Sequence, residues 1–277
     1  MSRTLSRRSL LRALGCAAAC GAGGMLPAAR AGEQTESSIC LSMLYRNGPQ
    51  ARFDAARYAE KYLPLLKRVC GDSVERIELR IPRPFVMPGM GEPGKPRPSG
   101  SHTPQPAEAA APQSALLAAV SIWIRDAKTF GERTASASQL AEELKQVTET
   151  EPLMQLEKSL VLMGDARDSV PDHGSVVSTY FPATAGAKFD AKYYGEKVVP
   201  LMVKLYGAKS IRRVEFNIGV AQGGLAPLVV ASSHFYVRDR AAWDAAGMRA
   251  LPELMAESPK YTTIRPLPAD MQVAAAG

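Results

Sequence analysis

Histidine is scarce in this sequence: among 277 residues only His102, His173 and His234 occur. No HxxxH or CxxCH spacing accompanies them, so a multi-histidine metal centre and a covalently attached haem are both disfavoured. His234 is left as a lone candidate axial ligand for haem, and no other cofactor is indicated. No GxGxxG or Walker-type loop follows an expected strand, which gives nucleotide binding no support. No nucleophile elbow is present either, and the Gly-Gly pair at 223–224 reads as a turn. Long apolar runs are missing: the longest candidate, Ala13 to Leu26, falls short of the roughly 20 residues that a membrane span requires, so no integral anchor is expected. An excess of one charge is lacking as well, once the amino terminus is set aside. Five of the 34 basic residues and none of the 27 acidic ones lie in residues 1–31, leaving 34 − 5 = 29 against 27. That balance gives no reason to expect nucleic acid or an anionic membrane as partner.

Residues 1–31 themselves have the makings of an export signal. Arg3, Arg7, Arg8 and Arg12 form a basic start, an Ala/Gly-rich run follows, and Ala29-Arg30-Ala31 offers a small-x-small cleavage site. The stretch Ser6-Arg7-Arg8-Ser9-Leu10-Leu11-Arg12 is similar to the twin-arginine signal of bacteria; an ordinary secretory signal holding two arginines is the alternative. The expectation is a periplasmic or secreted protein that engages the twin-arginine export machinery. Two of the four cysteines leave with this segment. Cys40 and Cys70 remain, at the start of an expected strand and the end of the next helix, where they are either a disulfide or two small buried side chains.

The rest of the chain contains a repeat. "ARFDAARYAEKYLPLL" at 51–66 returns as "AKFDAKYYGEKVVPLM" at 187–202, with nine of sixteen residues identical. "VERIELRI" (74–81) matches "IRRVEFNI" (211–218), and "SIWIRD" (121–126) matches "HFYVRD" (234–239). Hydrophobic periodicity predicts strands at 40–46, 74–81, 116–125 and 156–163 with helices at 54–69 and 139–148. It then predicts strands at 176–181, 211–218, 228–238 and 264–273 with helices at 190–205 and 241–257. The offset between copies falls from 137 to 113 because the first carries an insertion at 82–112, which holds nine of the chain's 21 prolines and cannot bury a core. The expected organisation is a first domain at 38–164, a linker at 165–174 and a second domain at 175–273. Each half has the order βαββαβ, and the fold class is α+β: two ferredoxin-like sheets facing each other as one barrel with helices outside.

In the repeated helix, Asp54 and Asp190 stand at the N-cap position, and Pro64 and Pro200 fall within the apolar pattern, where each is expected to bend the axis. This helix, together with "ELMAESPKYTTIRP" at 253–266, resembles the EthD family, named for a protein of ethyl tert-butyl ether degradation and placed among the dimeric α/β barrels. The resemblance spans 176–273 and, more loosely, 40–163. It implies an oxidative setting, as an accessory or a cofactor-independent oxidoreductase acting on a small apolar organic molecule. The family helix presents a histidine two residues before the proline; here Tyr62 and Val198 hold that place, so any function is expected to differ between the halves.

Alternation along the third strands directs Ser121 and Trp123, with His234 and Tyr236, into the barrel. On the second strands Glu78 and Arg80, or Glu215 and Asn217, are the polar positions. Tyr62, Glu78, Glu215 and His234 are thus the candidate catalytic groups, with Trp123, Tyr236 and Ser121 lining a ligand. The competing reading pairs the repeated glutamates with Arg125 and Arg238 in ion pairs that set the sheet register. A non-enzymatic exported protein with a filled barrel is the corresponding alternative function.

Overall fold

The computed structural model describes residues 37–83, 114–166, 174–222 and 224–277. The export signal at 1–31, nearly all of the proline-rich insertion and most of the linker lie outside the described residues. The chain is of mixed α+β class. Strands β1 (Ser37–Arg46), β2 (Val74–Pro82), β3 (Leu116–Ile124) and β4 (Leu153–Met163) come from the first half. Strands β5 (Ser175–Pro182), β6 (Ile211–Gly219), β7 (Val229–Val237) and β8 (Leu267–Ala276) come from the second. They close into one antiparallel barrel in the order β1-β3-β2-β8-β5-β7-β6-β4. The two four-stranded sheets meet edge to edge, through the β2–β8 and β4–β6 ladders. Closure removes every free strand edge and with it the row of unpaired backbone groups that an open sheet exposes.

Helix α1 (55–70) and its counterpart α4 (191–206) lie outside the barrel. Asp54 and Asp190 cap them, each accepting a hydrogen bond from the backbone N–H three residues on. Neither helix is a simple bent cylinder. Tyr58–Tyr62 and Tyr194–Val198 each form a π-helical turn, and a new α-helical segment starts at Leu63 or Val199. Pro64 and Pro200 therefore occupy the first turn of a fresh segment, where the missing N–H is not needed.

The halves differ next. Residues that form one helix in the second half, α5 (Arg240–Tyr261), correspond to two in the first, α2 (Ala127–Ser136) and α3 (Ser138–Val147), with Ala137 breaking the run at φ −92°, ψ 80°. The sequence pattern missed α2 because Gly131, Thr134 and Ser136 weaken its helical signal.

Two apolar layers pack between barrel and helices, one per half. The first is built around Leu41, Tyr58, Leu66, Ile77, Val120 and Leu144, the second around Phe181, Tyr194, Val214, Phe216, Phe235 and Trp243. Cys70 belongs to the first layer, whereas Cys40, one residue from Leu41, faces the barrel interior opposite Trp123 and Glu157. Both cysteines are free and buried. The disulfide expectation is therefore corrected: strand alternation puts the two sulfurs on opposite faces of the sheet.

Candidate functional site

Inside the barrel the side chains fill the space with charge. Period-2 alternation from Glu78 and Glu215 carries Arg76 and Arg213 onto the same inward face, where Arg76 pairs across from Trp123 and Arg213 from Tyr236, just past a register shift at each strand start. The guanidiniums stack on those rings, 3.6 Å and 3.9 Å from the ring centroids. They then cross to the opposite half: Arg76 reaches Glu215 at 2.6 Å and Arg213 reaches Glu78 at 3.5 Å. Arg213 also contacts Glu215 at 3.0 Å, and Arg80 contacts Glu78 at 3.4 Å. The Tyr236 hydroxyl lies 2.7 Å from Glu78 Oε1 and 3.2 Å from Glu215 Oε2, one O–H between two carboxylates.

The electrostatics follow from this packing. Burial alone would raise Glu215, but Arg76 and Arg213 beside it hold it below the ordinary carboxylate range. Burial, reinforced by Glu215 and Glu78, pushes the Tyr236 phenol far above its usual value. Glu157 accepts from Gln155 at 2.7 Å and Asn217 at 3.1 Å, and burial still drives it up to about 7. His234 lies directly across from Glu215 on the neighbouring strand, but its ring nitrogens engage serines instead, 2.9 Å from Ser178 Oγ and 3.2 Å from Ser232 Oγ. Burial, and then Arg80, Arg213 and Arg76, keep it neutral. With both nitrogens engaged and Tyr180 packed edge-on at 5.7 Å, His234 does not fit an axial haem ligand. Among the described residues no cluster of metal-ligating side chains occurs.

Three sequence expectations change here. Arg125 and Arg238 are exposed at the strand ends and do not pair with the glutamates; Arg76, Arg80 and Arg213 do. Ser121 does face the interior, but it accepts a hydrogen bond from Arg80 and so is already engaged. Tyr62 is separated from Glu78, Glu215 and His234 by the sheet itself, because it lies in the first helix–sheet layer.

That layer surrounds Tyr62 with three aromatic residues that were not among the sequence candidates. Tyr45, Phe53, Tyr58 and Tyr62 pack in series, with ring centroids 4.7, 5.7 and 4.9 Å apart. The hydroxyls of Tyr45 and Tyr58 are buried without a hydrogen-bond partner. Burial raises all three phenols, and the Tyr62 hydroxyl raises the other two further, which places the three oxygens within electrostatic reach of one another. The second half is different at the same places. Phe181 replaces Tyr45, Val198 replaces Tyr62, and the Tyr194 hydroxyl is paired with Ser233 Oγ at 2.8 Å. Val120 stands where Ser233 does, so Tyr58 has no such partner. A residue-by-residue alignment of the two copies carries this signal, in the Tyr/Phe and Val/Ser columns.

Chemically, three neutral phenols in an apolar layer are hydrogen-bond donors and poor bases. They can orient a carbonyl or hydroxyl oxygen and stabilise negative charge developing on it.

No protein-family model and no curated protein matches the chain. Solved structures do. An EthD-like protein of Ralstonia eutropha JMP134 is 25% identical over 35% of this chain and 90% of its own, with a TM-score of 0.33. An anthrone oxidase-like protein is 13% identical over 87% of this chain and 92% of its own, with a TM-score of 0.48. A protein of Fusobacterium nucleatum named a candidate monooxygenase is 9% identical over 88% of this chain and 95% of its own, with a TM-score of 0.50. That last likeness shows a shared fold over most of both chains.

Proposed function

We propose that the chain binds a small, largely apolar organic molecule carrying an oxygen function, in the helix–sheet layer of its first half, and that it serves an oxidative reaction there. The observation that carries this reading is the pair of buried, unpartnered hydroxyls on Tyr45 and Tyr58. An unpaired buried hydroxyl costs about 1–3 kcal/mol, and Phe181 fills the equivalent of Tyr45 without one. Hydroxyls kept at that cost in one half and not in the other point to a ligand rather than to packing. Tyr62 supplies the third donor, at the position where the EthD resemblance implies a histidine. The reading includes export through the twin-arginine route, on the strength of Arg7-Arg8 and the cleavage site near residue 31.

The test is binding of phenol and cyclohexanone to the exported form, followed by ligand-observed NMR. Saturable binding that Tyr45→Phe/Tyr58→Phe weakens at least tenfold, with Tyr194→Phe unaffected, is expected. Equal binding by all three proteins would overturn the assignment.

The filled barrel interior favours a second reading. Glu78, Arg80, Arg213, Glu215 and His234 are all buried and leave no room for a ligand among themselves, which suits a non-enzymatic exported protein that meets a partner through its outer surface. Absence of any small-molecule binding in the same experiment favours it.

A further inference from the structure

The outer face of α5 is apolar where a solvated helix face is ordinarily charged. At about 100° per residue, Met248, Leu251, Pro252 and Met255 fall on one arc of the helix, which Ala241, Ala245, Ala256 and Pro259 extend to about 140°. All eight are exposed, Met248 by 77%, Leu251 by 53% and Met255 by 63%. Asp244 is the one charge inside the arc, and Arg240 holds it at 2.8 Å. The opposite face turns Trp243, Ala246 and Ala250 to the second half's core, so α5 is apolar on two sides.

The first half shows that the fold does not require this. Asp126 and Asp239 cap the two helical runs, and Thr148 and Thr262 end them with matching bridges to Phe53 and Phe189, so their positions correspond. Where α5 has Ala241, Ala245, Ala256 and Pro259, α2 and α3 carry Lys128, Glu132, Glu142 and Lys145. Where it has Met248 and Met255 they carry Ala135 and Ala141, and Leu251 falls at a one-residue insertion. One copy keeps a solvated surface; the other loses its charges there and gains three large apolar side chains. A contiguous exposed apolar patch of this kind marks a contact surface.

The charges at its edge indicate what it contacts. Arg240 pairs with Asp244 and Asp270, and Glu257 pairs with Lys260. Arg249 and Glu253 are exposed and have no ion-pair partner among the described residues. They stand one turn apart on the same edge of the arc. When a helix packs antiparallel on its own copy, like edges meet, and a two-fold axis makes every contact occur twice. An axis at the level of Ala250 brings Arg249 beside the partner's Glu253. It also sets Ala245 against the partner's Met255 and Met248 against the partner's Pro252, each methionine on a smaller side chain.

We infer that α5 is the surface on which two copies of this chain associate, antiparallel, about a two-fold axis near Ala250. The surface belongs to the second half and is independent of the tyrosine layer in the first. At 1.5 Å per residue α5 is about 33 Å long, and about 10 Å wide, which leaves the contact short of the roughly 800 Å² per partner of a permanent interface. The dimer is therefore concentration-dependent, with a dissociation constant in the micromolar range.

The experiment is sedimentation velocity of the purified protein from low micromolar to several hundred micromolar. The parent is expected to pass from monomer to dimer across that range. Met248→Glu/Met255→Glu, at two exposed positions that leave the melting temperature unchanged, stays monomeric throughout. Arg249→Glu weakens association about tenfold, because two exposed pairs turn from attraction to repulsion, and Arg249→Glu/Glu253→Arg restores it. A parent that remains monomeric, a dimer that survives Met248→Glu/Met255→Glu, or a charge reversal that the double variant does not restore would each overturn the inference. So would a monomeric parent whose Met248 and Met255 resist peroxide, which would put another part of this chain over the face.

Discussion

Removing one buried hydroxyl from each copy of the repeated helix should move stability in opposite directions. Tyr58 and Tyr194 occupy the same place in α1 and α4, and both rings are buried. The Tyr58 hydroxyl has no partner, so Tyr58→Phe removes a desolvated polar group and keeps the ring contacts to Phe53 and Tyr62. Relief of even part of the 1–3 kcal/mol penalty predicts a gain of about 1 kcal/mol. Tyr194→Phe instead strands the buried Ser233 hydroxyl, 2.8 Å from the lost oxygen, and predicts a loss of about 1–2 kcal/mol. For a chain of this size each kcal/mol corresponds to roughly 2–4 °C in Tm. Differential scanning calorimetry of the two variants against the parent reads the difference directly, with urea unfolding as a check on the slope. A Tyr58→Phe variant that loses as much stability as Tyr194→Phe would refute the reasoning, since it would mean that the Tyr58 hydroxyl is satisfied and structural.

Other outcomes follow from the barrel interior. Glu215→Gln leaves Arg76 and Arg213 without a full counter-charge in a buried site, and a loss of about 3 kcal/mol or more in urea unfolding is expected; a neutral result would contradict the cross-barrel pairing. Glu157 is raised from 4.5 to about 7 in the folded state. The native state therefore holds a proton that the unfolded chain releases, and the associated stability is complete below pH 4.5 and lost as pH rises through 7. The shift corresponds to roughly 3 kcal/mol, so the difference in unfolding free energy between parent and Glu157→Gln should change across that window, and a flat difference would remove Glu157 from the account. Cys40 and Cys70 are expected to resist thiol reagents in the folded protein and to react as two free thiols in denaturant without reductant; a disulfide-linked peptide pair in a non-reducing digest would contradict their placement on opposite faces.

The strands were legible from sequence because alternation and the internal repeat reinforce each other. The observed β2 and β6 start at the expected residues, Val74 and Ile211. What pattern reading missed has particular causes. Arg76 and Arg213 lie two residues before Glu78 and Glu215 and share their inward face by alternation, but strand-end arginines are most often solvated, so the pattern alone did not mark them as buried. The π turns in α1 and α4 are likewise invisible to a 3.6-residue period, so the prolines read as bends. Tyr62 was placed with Glu78 and His234 because a list of polar residues does not state which face of the sheet each occupies. The aromatic layer could have been found by aligning the two copies, where Tyr45 against Phe181 and Val120 against Ser233 mark the asymmetry that packing alone does not require.

The most direct test of that asymmetry is native mass spectrometry of the protein, purified under gentle conditions in parent and Tyr45→Phe/Tyr58→Phe forms. The account predicts a small organic molecule that accompanies the parent and is absent from the variant. A molecule retained equally by both, or a clean apo mass for the parent under gentle conditions, would contradict it.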